Sequence, residues 1–332
     1  MTTGFLTSGF SLVGQMNLQN DGGVIGPDNT PVVNDKVTSF TSPGTFSGAD
    51  PKNSGQTGKV ILIGGGGGGA HQAGGGGAGG VVVIDSAPLS SSFPVTVGGG
   101  GSASMSGGSG STGSNTSAPI GGTTYTAQGG GGSGQRGANY VGPSPTYNGK
   151  PGGSGGGGGR GNHNPGQNNP AGSGNQPGVS NPGANQNLGN PGGVGNAPQT
   201  QDNRIGGGGG GAGGAGSQST AGIGHEAFPA KSQPQAPGVQ DRGYIGGGGG
   251  GNAGVNGNQK GGGSPNSYFT PPQALDGSGS GGGSCYNNSN PGTPGGDGGV
   301  HVIEFGAGPA VTSGRWSLKA VYSAVSDDNW TN

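Results

Sequence analysis

The sequence predicts a mostly β and irregular protein in three parts. These are a small β-sandwich-like unit drawn from both chain ends, a bundle of polyglycine II helices, and a short C-terminal helix. Three observations predict it. Glycine supplies 94 of the 332 residues, and isoleucine-led hexaglycine runs occur three times, as ILIGGGGGG from Ile61, RIGGGGGG from Arg204 and YIGGGGGG from Tyr244. Short runs rich in Val, Ile, Thr and Phe stand near both ends of the chain. The final residues space their apolar side chains as a helix does.

The β-unit comes first. Its runs are VTSFTSPGTFSG from Val37, KVILIG from Lys59, VVVID from Val81 and FPVTVG from Phe93, with GTTYTAQ from Gly122 as a weaker fifth. VHVIEFG from Val300 matches them from the other end. β-branched and aromatic residues bounded by Gly, Pro and Ser are the strand signature. KVILIG and VVVID are continuous apolar runs, which suits strands covered on both faces. VHVIEF alternates in part and is expected to lie half exposed. These runs define a β-unit of residues 37–97 plus 300–308. Residues 1–36 precede it as an attachment segment, 98–299 form a long glycine-rich insertion, and 309–332 follow as a docking tail.

The insertion is too poor in apolar residues for an ordinary core, because hydrophobic residues make up 25% of the chain and ordering each residue costs about 1–2 kcal/mol. Bare backbone offers another route. In the left-handed helix with three residues per turn the main chain bonds only outward. Packed side by side, such helices pair every N–H and C=O with a neighbour, and inner positions must be glycine because a Cβ would collide. A net hydrogen bond returns only about 0.5–1.5 kcal/mol, so the rods need pinned ends. Ile63, Ile205 and Ile245 are expected to serve as apolar pins. The competing reading is a disordered or loosely coiled middle. Asn-Pro-Gly at Asn164, Asn181, Asn190 and Asn290 is turn chemistry: Pro presets φ and Gly accepts positive φ. Glycine keeps no strict three-residue spacing, which excludes collagen.

The tail, WSLKAVYSAVSDDNW from Trp316, places Leu318, Val321, Tyr322 and Val325 on one helical stripe. Trp316 and Trp330 bracket it. The stripe either packs on its own β-unit or docks on a neighbouring protein of the assembly.

Charge and motifs exclude several functions. A formal net charge of −1 argues against a nucleic-acid partner held through phosphates. No apolar run approaches the roughly 18 residues that span a bilayer. The single cysteine, Cys285, forms no internal disulfide framework and is expected to be a buried small hydrophobe. GGSGG at Gly152 fits the nucleophile-elbow pattern without its strand–turn–helix setting. The histidines, His71, His163, His225 and His301, have no metal-ligand spacing. Arg136-Gly137, Arg160-Gly161 and Arg242-Gly243 are too few for an RGG-type RNA binder. No enzyme activity, cofactor or metal is expected.

Several of these stretches together resemble the glycine-rich domains of bacteriophage tail fibres and adhesins. FTSPGTFSG followed by KVILIGGGGGGAHQAGGGGAGGVVVID is similar to the opening of such domains, FPVTVGGGGSAS and TTYTAQGGGGSG to the next elements, and GGDGGVHVIEF to the closing strand. The resemblance implies a virion location, polyglycine rods and host-receptor recognition by loops between rods. It implies other virion proteins as partners, a homotrimer by analogy with fibre architecture, and a host surface glycan or outer-membrane protein as receptor. A purely structural virion part, such as a fibre segment, capsid fibre or decoration protein, is the alternative. Bulky residues stranded among glycines are the recognition candidates: Tyr140, Tyr147, Phe228, Tyr268, Phe269 and Tyr286, with Tyr244 a further stranded ring. Rigid aromatic rings suit sugar or protein contact, though each could instead cover the bundle's rim.

Overall fold

The computed structural model describes residues 32–33, 36–48, 57–105, 108–136, 145–161, 167–197, 205–218, 220–226, 244–251, 274, 276–285, 292–305 and 310–311. Among the described residues the fold is mostly strands with almost no helix, arranged in several antiparallel sheets. The first eight strands are β1 (Val32–Val33), β2 (Lys36–Phe40), β3 (Gly44–Phe46), β4 (Thr57–Ile63), β5 (Val81–Pro88), β6 (Phe93–Val95), β7 (Thr116–Ile120) and β8 (Thr123–Ala127). Then come β9 (Gln167–Asn169), β10 (Gln186–Leu188), β11 (Gly195–Ala197), β12 (His225–Glu226), β13 (Tyr244–Ile245), β14 (Gly299–Glu304) and β15 (Ala310–Val311).

One five-stranded sheet, in the order β10-β5-β4-β14-β2, organises the rest. Side chains alternate across it, as the pleat requires. Val60, Leu62, Val82, Ile84, Val300 and Val302 join one core cluster with Phe46, Phe93, Ile120 and Tyr125 from β3, β6, β7 and β8. Phe46 and Phe93 stack with ring centroids 5.0 Å apart. Ile61, Ile63, Val81, Val83 and Ile303 face the other way and pack with Ala212 and Ile245. KVILIG and VVVID are thus covered on both faces. VHVIEF corrects the sequence reading: β14 is buried along its whole length, because it pairs with β4 on one side and β2 on the other.

Residues inside the glycine-rich stretch also enter the sheet layers. β7 and β8 form a hairpin through Gly121 and Gly122, both at positive φ, the geometry of a two-residue primed turn. β10 extends the main sheet beyond β5. Each buried Leu, Ile or Val adds roughly 1.5–3 kcal/mol, more than a net backbone hydrogen bond supplies, so this sheet is the anchor for what leaves it.

β4 runs directly into residues 64–69, the chain reverses at 70–73, and residues 74–80 lead back into β5. Both glycine arms are bonded laterally. Gly64 and Gly67 donate to Gly80 and Gly77, Gly65 and Gly68 to Ser114 and Ser111, and Gly66 and Gly69 to Gly296 and Thr293. The carbonyls of Gly66 and Gly69 accept from Gly101 and Ser104, those of Gly65 and Gly68 from Gly130 and Ser133, and that of Gly67 from Gly282. Partners recur every third residue, the spacing of a helix with three residues per turn. Six segments therefore surround this arm. The returning arm is surrounded in the same way, by 64–69, 128–136, 153–159, 206–211, 246–251 and 279–285. All three hexaglycine runs lie on one path of bonds: Gly209 to Gly249, Gly249 to Gly76, Gly76 to Gly282 and Gly282 to Gly67. A Cβ on Gly67 would overlap the Gly131 carbonyl, and one on Gly76 would overlap that of Gly67.

Two local expectations are corrected. Ile63 and Ile245 sit in the core, but Ile205 is only partly buried and belongs to neither core cluster. Its run approaches the sheet rather than leaving it, so Ala212, at the run's other end, is the residue that reaches the core. Asn181-Pro182-Gly183 is a turn, with Ala184 N–H bonded to Asn181 O at 3.0 Å and Gly183 at φ +80°. Asn190-Pro191-Gly192 is not. It runs on as a lattice segment: Asn190 O accepts from Gly155, and Gly192 donates to Gly172. Proline's fixed φ suits that conformation as well as a turn. Asn164, Asn290 and the expected C-terminal helix lie outside the described residues.

Candidate functional site

The lattice has two unlike ends. Segments 64–69, 98–104, 128–136, 153–161, 246–251 and 279–285 run away from the sheet, and 74–80, 108–115, 206–212 and 292–298 run back, as the parallel and antiparallel registers of their bonds require. The far end therefore gathers the reversals. At its centre is the tip of the 64–80 hairpin, where Gln72 turns the chain at φ +48°, a left-handed conformation uncommon for a residue with a side chain. Ala70 bridges to Ser104, and His71 to Cys285. Gln72 N–H donates to Cys285 O at 2.7 Å, and Ala73 N–H to Ser284 Oγ at 3.1 Å. Cys285 is buried, as its reading as a small hydrophobe expects. Met105 stands beside this tip, 66% exposed.

Charge is divided between the two ends. The acidic side chains among the described residues, Asp85, Glu226, Asp276, Asp297 and Glu304, all lie in or beside the sheet layers. Lys36 pairs there with the buried Glu304 at 3.1 Å, and Lys59 with Asp85 at 3.4 Å. Asp297 Oδ1 accepts from Gly100 N–H at 2.7 Å. His225 is held below its ordinary pKa first by burial and then by the Lys59 cation, with Glu226 opposing. His301, fully buried, has Nδ1 2.9 Å from Ser39 Oγ. Burial pushes its pKa down to about 4, against a smaller opposing effect of the Gly277 backbone.

The lattice away from the sheet carries Arg136, Lys150 and Arg160, and no acid among the described residues. Segments 128–136 and 153–161 are parallel neighbours, with Gly131 donating to Ser154 and Gly134 to Gly157. That register sets Arg136 and Arg160 at the same level of the far end. Lys150 Nζ donates to Gly110 O at 2.8 Å. Sequence reasoning noted these arginines only as a poor match to RNA binders. The usable signal was the scarcity of acidic residues between Gly98 and Asp276.

Of the aromatic candidates, Tyr147 is described. It closes a 3-10 turn, Pro145–Tyr147, its side chain is buried, and its carbonyl accepts from Gly159 N–H at 2.7 Å. Tyr147 thus lies against the bundle. Tyr244 pairs with Glu226 through the backbone at the sheet end. Tyr140, Phe228, Tyr268, Phe269 and Tyr286 lie outside the described residues, as do Trp316, Leu318, Val321, Tyr322, Val325 and Trp330 of the tail. In sequence, Tyr140 and Tyr286 fall between segments joined at the far end, Tyr268 and Phe269 between segment 246–251, which ends there, and Asp276 at the sheet end, and Phe228 between β12 and β13 at the sheet end.

Among the described residues no group of three His, Cys, Asp or Glu is placed to hold a metal, and no helix is long and apolar enough to cross a membrane. What the arrangement offers is a rigid end surface, held by backbone bonds and carrying positive charge. A sheet-anchored lattice built on glycine defines a glycine-rich scaffold class. The chain belongs to the glycine-rich domain family, which matches residues 41–303. No curated protein matches it.

Proposed function

We propose that this chain is a non-enzymatic bacteriophage virion protein, a tail fibre or surface adhesin that presents its far end to a host receptor. The observation that carries this reading is the polarity of the lattice. The sheet holds one end, and the glycine arms reverse at the other. Binding residues concentrate in loops borne on a rigid scaffold, and a backbone lattice is rigid without depending on the sequence of those loops. The sheet end, with the 1–36 segment and the 309–332 tail, faces the other virion proteins. The working assembly is a homotrimer, and the receptor is a surface glycan or an outer-membrane protein.

Competition for the host tests this. Purified chain, added to susceptible bacteria before phage, binds the cells and lowers adsorption in proportion to its occupancy. Chain that neither binds cells nor blocks adsorption, and that leaves particles only when they are dismantled, is a fibre segment or decoration protein instead.

A further inference from the structure

We infer that this chain is a tension-bearing link, in which β14 and the segment 292–298 leading into it carry load between the far end and the chain beyond Glu304. The inference rests on the reading above only for the source of that load, a host at one end and a particle at the other.

One unbroken register joins sheet and lattice. β14 faces β4 from Glu304 opposite Gly58 to Gly299 opposite Ile63. Gly66 N–H then bonds to Gly296 O, and Gly69 N–H to Thr293 O, which continues that pairing without a slip. The same holds towards β5: Ile63 stands opposite Val81, and Gly64 and Gly67 donate to Gly80 and Gly77. Strand and rod thus form one continuous ladder, with no break in pairing where glycine begins. Antiparallel bonds lie across the strands. A pull along the axis strains them all together, whereas a pull across it opens them one at a time from the end. Axial slip of β14 also drags Val300 and Val302 out of one core cluster and Ile303 out of the other, because a one-residue shift puts each on the wrong face. β14 is held by β4 on one side and β2 on the other, whereas β2, the last strand of its sheet, is held by β14 alone. Lys36 and Glu304 face each other at the end away from the lattice, where the chain enters β2 and leaves β14. Drawing those two points apart therefore peels β2 from β14, beginning at that pair. At the far end, Met105 is exposed just beyond segment 98–104. That segment is tied to 64–69 through the N–H groups of Gly101 and Ser104, and to 292–298 through those of Gly295 and Gly298.

Forced unfolding of single molecules tests this, since rupture under load reports the unfolding rate along the direction pulled. The full chain is held by Met1 and Asn332, by Met1 and position 105, or by Asn332 and position 105, at one loading rate. Met105→Cys provides the far-end handle, and Cys285 is buried and does not compete for it. Asn332 with position 105 ruptures at the highest force, severalfold above Met1 with Asn332, and Met1 with position 105 falls between them. If Met105→Cys does not fold, Ser102→Cys, exposed on the same segment, takes its place. Rupture between Met1 and Asn332 at a force equal to or above the axial pulls overturns the proposal. So does an axial force through Met1 that matches the one through Asn332, because β2 then bears as much as β14. No host is present in this measurement. A strong axial link in a chain that fails to block phage adsorption removes the adhesin role and leaves this inference standing. An adsorption block by a chain that yields as readily along the axis as across it does the reverse.

Discussion

Gly67 gives its N–H to the Gly77 carbonyl at 2.8 Å, and Gly77 gives its own N–H not back to Gly67 but onward to Gly131 at 2.8 Å. In an antiparallel β pair the two residues would exchange bonds. Here each residue donates to one neighbour and accepts from another, so bonding spreads around the segment instead of along one ladder. Close contact on every side follows, and with it the first prediction.

Gly67→Ala drives a Cβ into the Gly131 backbone, where no side chain can move aside. It is expected to destabilise the chain by about 1–3 kcal/mol or more. Gly99→Ala meets only Asp297 Oδ1, at 3.7 Å, and should stay within about 0.5 kcal/mol of the parent. Thermal melts of the two variants side by side check the contrast.

Hydrogen exchange should grade the lattice. Amides of residues 64–69 and 74–80, each enclosed by six segments, are expected to exchange only with global unfolding. The outer segment 98–104 leaves Gly99 and Ser102 exposed and should exchange sooner. Amides in the two central arms that exchange at free-peptide rates would show that the bonds do not persist in solution.

Stability should fall on mild acidification through His301. The folded chain resists protonating this histidine until about pH 4, whereas the unfolded chain protonates near the ordinary 6.5. The unfolded state thus binds the extra proton between these values, so stability is fully present above 6.5 and declines as pH falls to 4. The loss amounts to about 3 kcal/mol. Denaturant titrations across that window check it, and His301→Leu should flatten the profile whatever its own stability.

Two carboxamides take the place of a strand along β8. Gln176 Oε1 accepts from Gln128 N–H at 2.6 Å, and its Nε2 donates to Thr126 O at 3.1 Å. Asn181 Oδ1 accepts from Thr126 N–H at 2.8 Å, and its Nδ2 donates to Asn187 Oδ1 at 2.6 Å. Gln176→Ala strips a fully buried partner and should cost about 1–3 kcal/mol. Faster exchange at Gln128, with the Thr126 amide still held by Asn181 and the Gly64–Gly80 bond still protected, would place the damage at this edge.

Much of this was legible in the sequence, for physical reasons that differ by element. β4 and β5 announced themselves because burial on both faces leaves continuous apolar runs. The central arms did so because enclosure on every side admits almost nothing but glycine, and Ala78 alone interrupts them. β14 was misread, since His301 and Glu304 look like surface residues until their partners Ser39 and Lys36 are in view. Ile205 was misread because a hexaglycine run reads alike in either direction, and only the bonded register reveals which end meets the sheet. β7 was not anticipated: Pro119 argues against a strand, yet an outer position tolerates it. The basic far end went unnoticed because its arginines are distant in sequence and become neighbours only through the register of Gly131 with Ser154.

The hairpin of residues 64–80 also dictates how such a protein can change in length. Inserting one residue into either arm rotates everything beyond it by a third of a turn and points each N–H at the wrong neighbour. Three residues restore the angle but lengthen that arm alone, leaving it to project past its six companions. Elongation must therefore come in whole turns, copied into every surrounding arm together, while the connecting loops can be rewritten one by one.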